Sequence, residues 1–187
     1  MTAADEEKMR DPRSTGPEKY SIGEYERRFL LTGIPAGVSD RHRIADRYLE
    51  GTRLRLRLVA TREGDVVQRK LGHKRRIAAN DPTAVWHTSL YLDDAEYALL
   101  AALPGRTLTK TRWSIDVDGQ PAAVDVFEDD LSGLIMIEVD LGDPDKLGSF
   151  DPPVWAGAEV TNDEAFTGGA LAGLDGGGLD GILAPYR

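Results

Sequence analysis

Residues 52–59 read TRLRLRLV, an unbroken alternation of arginine and leucine. A helix would scatter these side chains around its surface. A β-strand sorts them, with Arg53, Arg55 and Arg57 on one face and Leu54, Leu56 and Leu58 on the other. The same two-residue period recurs along the chain. GEYERRFLL, residues 23–31, puts Glu24, Glu26, Arg28 and Leu30 on one face, and Tyr25, Arg27, Phe29 and Leu31 on the other. LTKTRW pairs Lys110 with Arg112, and VDVF sets Asp125 between two valines. IEVDL groups Glu138 with Asp140, and GAEVT places Glu159 between Ala158 and Val160.

A single strand of this kind is an ordinary half-buried strand with a solvated face. Several together are harder to explain in that way. Solvated faces mix Ser, Thr, Lys and Glu, whereas these repeat one sign at i and i+2. Like charges so placed repel unless opposite charges or a ligand compensate. If the sheet closes with its ionic faces inward, every charge needs a partner, because an isolated charge away from water is very costly. A polyphosphate with divalent cations suits such a lumen. Arginine and lysine would grip phosphate oxygens, and carboxylates would hold Mg²⁺ or Mn²⁺ through oxygen.

The remaining punctuation fits a closed sheet. HRIADRYLEG reads as a second strand, VVQRKLGHKRRI pairs with TRLRLRLV through a turn at REGD, and WHTSLYL is a further short strand. DDAEYALLAALPG predicts a helix capped by Asp93 or Asp94, with an apolar stripe of Leu99, Leu100 and Leu103. LTKTRWSIDV, AAVDVFED and GLIMIEVDL continue the strands, PVWAGAEVT reads as the last, and NDEAFTGGALAGL as a weak helix. The expected fold is α+β, mainly β: a closed antiparallel eight-stranded tunnel-like barrel with a charged lumen and a few peripheral helices. Residues 1–19 read as a flexible tail, 20–174 as the domain and 175–187 as a loose Gly-rich end.

The 187 residues carry a net charge of -9, which argues against nucleic acid as a partner. That average hides a segregation. Residues 41–76 hold 12 Lys or Arg against 4 acids, and residues 116–187 hold 2 against 16. There is no cysteine, so thiolate ligands and nucleophiles are excluded. The first residues have no apolar core of a secretory signal, and no run is long enough to span a bilayer. The expectation is a cytoplasmic protein that does not bind membranes and is a monomer or homodimer.

In their order and spacing these motifs resemble the CYTH superfamily, the triphosphate tunnel metalloenzymes, over roughly Gly23 to Leu174. EYERRFL is similar to its N-terminal Glu-x-Glu-x-Lys signature. DRYLEGTRLRLR, KLGHK and LTKTRW are similar to its phosphate-binding strands. VDVFEDDLSGLIMIEVDL and WAGAEVTNDEAF are similar to its acidic strands and its close. The resemblance implies an eight-stranded tunnel that binds triphosphates with a divalent metal, Mg²⁺ or Mn²⁺. It implies metal ligands among Glu24, Glu26, Asp125, Glu138, Asp140 and Glu159. It implies phosphate contacts from Arg28, Arg53, Arg55, Arg57, Lys74, Lys110 and Arg112, with Arg53 ranked lower. Glu24, Glu26, Arg28 and Lys74 would be the catalytic set. Lys70 shares the parity of Lys74, and one of the two is expected to be peripheral.

Three departures accompany the resemblance. Arg28 stands where the signature has lysine, and arginine cannot act as a general base at ordinary pH. The mid-chain strand offers His87, Ser89 and Tyr91 where many members carry an acidic pair, and Ser89 and Tyr91 are expected to be structural or minor contacts. AFTGGALA replaces the usual Tyr and Asn of the closing helix. His42, His73 and His87 have no metal-like spacing and read as exposed or loop histidines. The implied activity is hydrolysis of a triphosphate, foremost inorganic triphosphate to pyrophosphate and phosphate. A class IV-type adenylate cyclase, a thiamine or nucleoside triphosphatase, and a non-catalytic polyphosphate or triphosphate binder are the alternatives.

Overall fold

The computed structural model describes residues 17–175 and 177–187; of the expected flexible tail 1–19, residues 1–16 lie outside the described residues and the rest enter a 3-10 turn, Pro17–Tyr20. Eight strands form the barrel: β1 (Ile22–Leu30), β2 (Ser39–Leu49), β3 (Leu54–Ala60), β4 (Val66–Arg76), β5 (Ala84–Tyr91), β6 (Gly105–Val117), β7 (Gln120–Phe127) and β8 (Ile135–Asp140). All pairings are antiparallel, and the order β1-β5-β4-β3-β2-β6-β7-β8 closes on itself. The expected closed antiparallel barrel is the one observed. At the β6–β7 hairpin Val117 faces Gln120 across a two-residue turn. Asp118 and Gly119 there both take positive φ, 52° and 81°. That geometry matches the twist of the flanking strands and favours an Asp-Gly pair.

PVWAGAEVT does not form a ninth strand. β1 pairs with β5 only through Ile22–Tyr25, and with β8 through Glu26–Leu30. The second half of β1 therefore has one side unpaired. Residues 157–160 fill it as irregular chain: Gly157 N donates to Leu30 O, Leu30 N to Ala158 O and Val160 N to Arg28 O, each at 2.9 Å. Only one isolated bridge, Phe29 with Glu159, results.

The core is divided by the barrel wall. Outside it, Phe29, Val124, Ile137 and Val139 are buried beneath Leu147, Phe150 and Ala156 of the chain that follows β8. On the inward faces, Leu108, Phe127 and Met136 pack with Phe166 and Leu171 of the C-terminal segment. Helix α1 (Asp94–Ala101) has the expected cap: Glu96 N donates to Asp93 Oδ1 at 2.8 Å, and Asp93 N to Glu96 Oε2 at 2.9 Å. Its leucine stripe, however, is not core. Leu99 is 74% exposed and Leu103 45%, and no residue of α1 is buried. A closed barrel completes its own core, and α1 rests on the outside of β3 and β4.

The expected weak helix at 162–174 appears as a 3-10 turn (Glu164–Phe166) followed by α2 (Gly168–Leu171). The Gly-rich end is more ordered than expected. It carries α3 (Gly178–Leu183), and Leu179, Ile182, Leu183 and Tyr186 pack against the inner cluster. No helix among the described residues is long and apolar enough to cross a membrane.

Because Ile137 is fully buried between β1 and β7, Ile137→Ala is expected to lower stability by about 2–5 kcal/mol. Urea denaturation read by circular dichroism would measure the loss.

Candidate functional site

The barrel encloses a cavity of about 350 Å³. From β1 it receives Glu24, Glu26 and Arg28, and from β3 and its approach Arg53, Arg55 and Arg57. Lys74 and Arg76 enter from β4, Lys110 and Arg112 from β6, Asp125 from β7 and Glu138 from β8. The two-residue period thus aims the Arg-x-Arg, Lys-x-Arg and Glu-x-Glu faces into one space. Of the expected site residues, Asp140 and Glu159 are absent from the wall. Lys70 is absent too, and Lys74 is the lysine that enters.

The like charges along each strand are compensated across strands. Arg57 donates to both oxygens of Asp46 at 2.6 Å, and Arg55 Nε lies 3.7 Å from Asp46 Oδ1. Asp46 is fully buried, and the sequence reading passed over it. Burial opposes its ionisation, but Arg57, then Arg55 and Lys110, outweigh this and bring its pKa down to about 2. Its detectable signal was parity: Asp46 lies directly opposite Arg57. Tyr48, on the same face of β2, is pushed up to about 12 by burial and by Asp46.

Two strands along from β2, on β7, Asp125 is buried and both its oxygens are occupied. Lys110 Nζ donates to Oδ2 at 2.5 Å, Arg112 Nε to Oδ1 at 2.7 Å and Arg112 Nη2 to Oδ2 at 2.6 Å. Arg112 Nη2 also reaches Glu138. Burial opposes the charge on Glu138, yet Arg112, Lys110, Lys74 and Arg28 hold its carboxyl well below the usual range. Burial and Arg112 pull the Lys110 ammonium down.

The first acidic strand faces Lys74, whose Nζ lies 2.6 Å from Glu24 and 3.3 Å from Glu26. Burial opposes the Lys74 charge, but Glu26, Glu24 and Glu138 raise its pKa. Burial raises Glu26, with Glu138 and Glu24 adding to the effect. Burial also works against the Glu24 charge, but a hydrogen bond from His87 and the charge on Lys74 bring it down to about 2. His87 is therefore neither exposed nor a loop residue. It is a β5 residue in the cavity wall, directly opposite Lys74.

Arg28 lines the cavity but also grips the C-terminal segment. It donates to Thr161 O at 2.8 Å and to Phe166 O at 3.0 Å. A guanidinium spans two carbonyls in a way that a lysine ammonium cannot match. The same segment puts Phe166, Thr167, Gly168 and Gly169 into the wall. A Cβ at Gly168 would lie 1.9 Å from the Tyr48 hydroxyl, so Gly168 is what lets the segment seat against Tyr48.

Glu159 belongs to the outer surface. It accepts Arg27 Nε at 2.9 Å and Nη2 at 2.6 Å, and Arg27 is one of the outward residues of β1. Irregular chain replaces the expected strand there, so the parity argument does not reach it. Asp140 ends β8, and its Oδ1 accepts the Gly142 amide at 3.0 Å. Among the described residues, no three acidic or histidine side chains already converge as a cation cage. Even so, the donors fit a hard divalent cation. Glu24, Glu26 and Glu138 offer carboxylate oxygens to the cavity, and at Glu24 Oε2 a bound cation would take the place now held by the Lys74 ammonium, 2.6 Å away.

The chain is 32% identical over 155 residues to an inorganic triphosphatase of Nitrosomonas europaea, across 80% of this chain and 96% of that protein. Its structure matches the crystal structure of the inorganic triphosphatase NE1496 with a TM-score of 0.59 at 30% identity, over 82% of this chain and 97% of that one. A conserved hypothetical protein from Pyrococcus furiosus, 16% identical, shares the fold with a TM-score of 0.50 over 67% and 84% of the two chains. No family model matches the chain.

Asp46 generates a pH prediction. Its pKa falls from an ordinary 3.8 to about 2 on folding. The folded state therefore gains stability from the ionised carboxylate above pH 3.8, and loses that gain as pH falls toward 2. The gain amounts to about 2 kcal/mol. Urea titrations between pH 6 and pH 2.5 should show this acid loss in the native chain, and a smaller one in Asp46→Asn.

Proposed function

The chain belongs to the CYTH superfamily, the triphosphate tunnel metalloenzymes, and on that basis we propose that it hydrolyses inorganic triphosphate to pyrophosphate and phosphate with a divalent metal, Mg²⁺ or Mn²⁺. The observation that carries this reading is the way its internal charges are matched. Eight Lys and Arg side chains share the cavity with four carboxylates. A metal-loaded polyphosphate can re-partner both sets at once. Carboxylates turn to the cation and guanidinium and ammonium groups to phosphate oxygens, and no charge is left buried alone.

The cavity also favours a small, fully ionic substrate. It is at the small end for ligand pockets. Its apolar wall is already packed by the chain's own Phe166 and Leu171. Arg55 and Arg57 on β3 and Lys110 and Arg112 on β6, with only β2 between the two strands, offer cations to phosphate oxygens from one side of the barrel. A metal held by Glu24, Glu26 and Glu138 would polarise a phosphoryl oxygen and neutralise charge there. Arg28 and Lys74, beside those acids, would meet the terminal phosphoryl group. In the reaction a water oxygen attacks the terminal phosphorus, the bridging P–O bond breaks and pyrophosphate leaves with the electron pair. The proton of the attacking water ends on an oxygen of the phosphate product. Arg112 and Lys110, held in place by Asp125, would stabilise the charge that develops on the leaving oxygens.

Phosphate release from inorganic triphosphate, ATP and thiamine triphosphate, with Mg²⁺, Mn²⁺ or EDTA, tests the reading. Turnover should be greatest with inorganic triphosphate and vanish with EDTA. Tight binding of all three with no turnover of any would replace hydrolysis by a storage or sensing role. Lys110→Met and Arg112→Met should each lower kcat by roughly 10²-fold or more. Glu159→Gln, on the outer surface, should leave kcat and the metal requirement within about twofold of the native chain, since surface changes away from a site are close to neutral.

A further inference from the structure

The two oxygens of Glu24 stand in different circumstances. Oε1 accepts a hydrogen bond from His87 Nδ1 at 2.5 Å. Oε2 is buried and lies 2.6 Å from Lys74 Nζ, but makes no aligned hydrogen bond. Glu24 is ionised and can only accept, so Nδ1 carries the imidazole proton. On the other side of the ring, Ser89 Oγ lies 3.2 Å from Nε2, within hydrogen-bond reach. The ring is thus held at both nitrogens, in a row running from Ser89 through His87 to Glu24. Gly72, which lies opposite Ser89 on the neighbouring strand, comes close to the ring, and a Cβ there would lie 3.2 Å from Nε2. The absence of a side chain at 72 leaves the ring its seat.

We propose that His87 is a positioning residue for the divalent cation: by holding Oε1 it fixes the Glu24 carboxylate so that Oε2 is presented to the cavity as a metal ligand. This rests on the metal-dependent reading given above. A carboxylate side chain has a broad, easily turned terminal torsion. Tying one oxygen removes that freedom before the ion arrives. Lys74, the other partner of Glu24, also pairs with Glu26 and so cannot fix either carboxylate alone. An imidazole does this without adding a further negative charge beside Glu24, Glu26 and Glu138. Outer partners of metal ligands of this kind typically contribute 10- to 100-fold in metal affinity.

The test is Mn²⁺ affinity, measured by calorimetry and by electron paramagnetic resonance of free Mn²⁺, on the native chain, His87→Ala and His87→Asn. Asparagine can return an N–H near the place of Nδ1, and alanine cannot. Circular dichroism and thermal melting of each variant report on the fold. The native chain should bind Mn²⁺, His87→Ala should bind it about tenfold or more weakly, and His87→Asn should recover most of the loss. Should His87→Ala not fold, the comparison of native chain with His87→Asn decides, with near-native affinity expected. Equal affinity in native and alanine forms would overturn the positioning role and leave the metal reading intact. An asparagine variant as weak as alanine would also overturn it, because the hydrogen bond would not be the cause. A native chain that binds no Mn²⁺, with or without inorganic triphosphate, would remove the metal reading and this proposal together.

Discussion

Arg112 reaches Asp125 on β7 and Glu138 on β8 from its own place on β6. Three strands are therefore tied through one guanidinium inside the barrel. Arg57 does the same for β3 and β2 through Asp46, and Lys74 joins β4 to β1 through Glu24 and Glu26. Backbone ladders close the barrel, but these pairs decide which faces turn inward. A strand slipped by one residue would send its ionic row to the outside and its leucines and valines into a charged space. Removing one partner would leave a buried charge uncompensated, which costs more than the pair contributes. The same pairs are the groups a polyanion and its cation would take over, so stability and binding draw on one set of contacts.

Much of this was legible because the strand period is two. Once TRLRLRLV is a strand, the inward rows follow, and with them Arg55, Arg57, Lys110, Arg112, Glu24, Glu26 and Glu138. Legibility failed where that period fails. Residues 157–160 pair with β1 without becoming a strand, so Glu159 points away from the cavity toward Arg27. Asp140 lies at the strand end, where turn hydrogen bonding captures it. Asp46 was overlooked because a lone acid among arginines has no pattern of its own; only strand register places it opposite Arg57. The reading of His87 as an exposed or loop residue fails for a similar reason. Its partner Glu24 is distant in sequence, and histidine spacing says nothing about a carboxylate on another strand.

Arg28 links the charged row to the chain's end. Its neighbours Glu24 and Glu26 serve the lumen, while its own donors go to the carbonyls of Thr161 and Phe166. With Gly168 seated against Tyr48 and Phe166 packed on Leu108, Phe127 and Met136, the C-terminal segment becomes part of the cavity wall. The departures from the family pattern at Arg28 and at Gly168 thus belong to one arrangement. A longer, planar cation holds a segment that has given up side chains in order to lie close.

The strand order carries a consequence for how the molecule assembles. β1 is the first strand in the chain, yet its neighbours are β5 and β8, and the segment lying along its second half comes later still. Every other sequential pair except β1–β2 and β5–β6 forms a local hairpin. Contacts that span so much chain form late, because the loop they close must lose its freedom first. During that interval the Glu24–Glu26–Arg28 row has no lysine, histidine or carbonyl to meet and must remain in water. The seam between β1 and β8 therefore closes the longest loop among the strand pairings, and closing it is what takes the acidic row out of water.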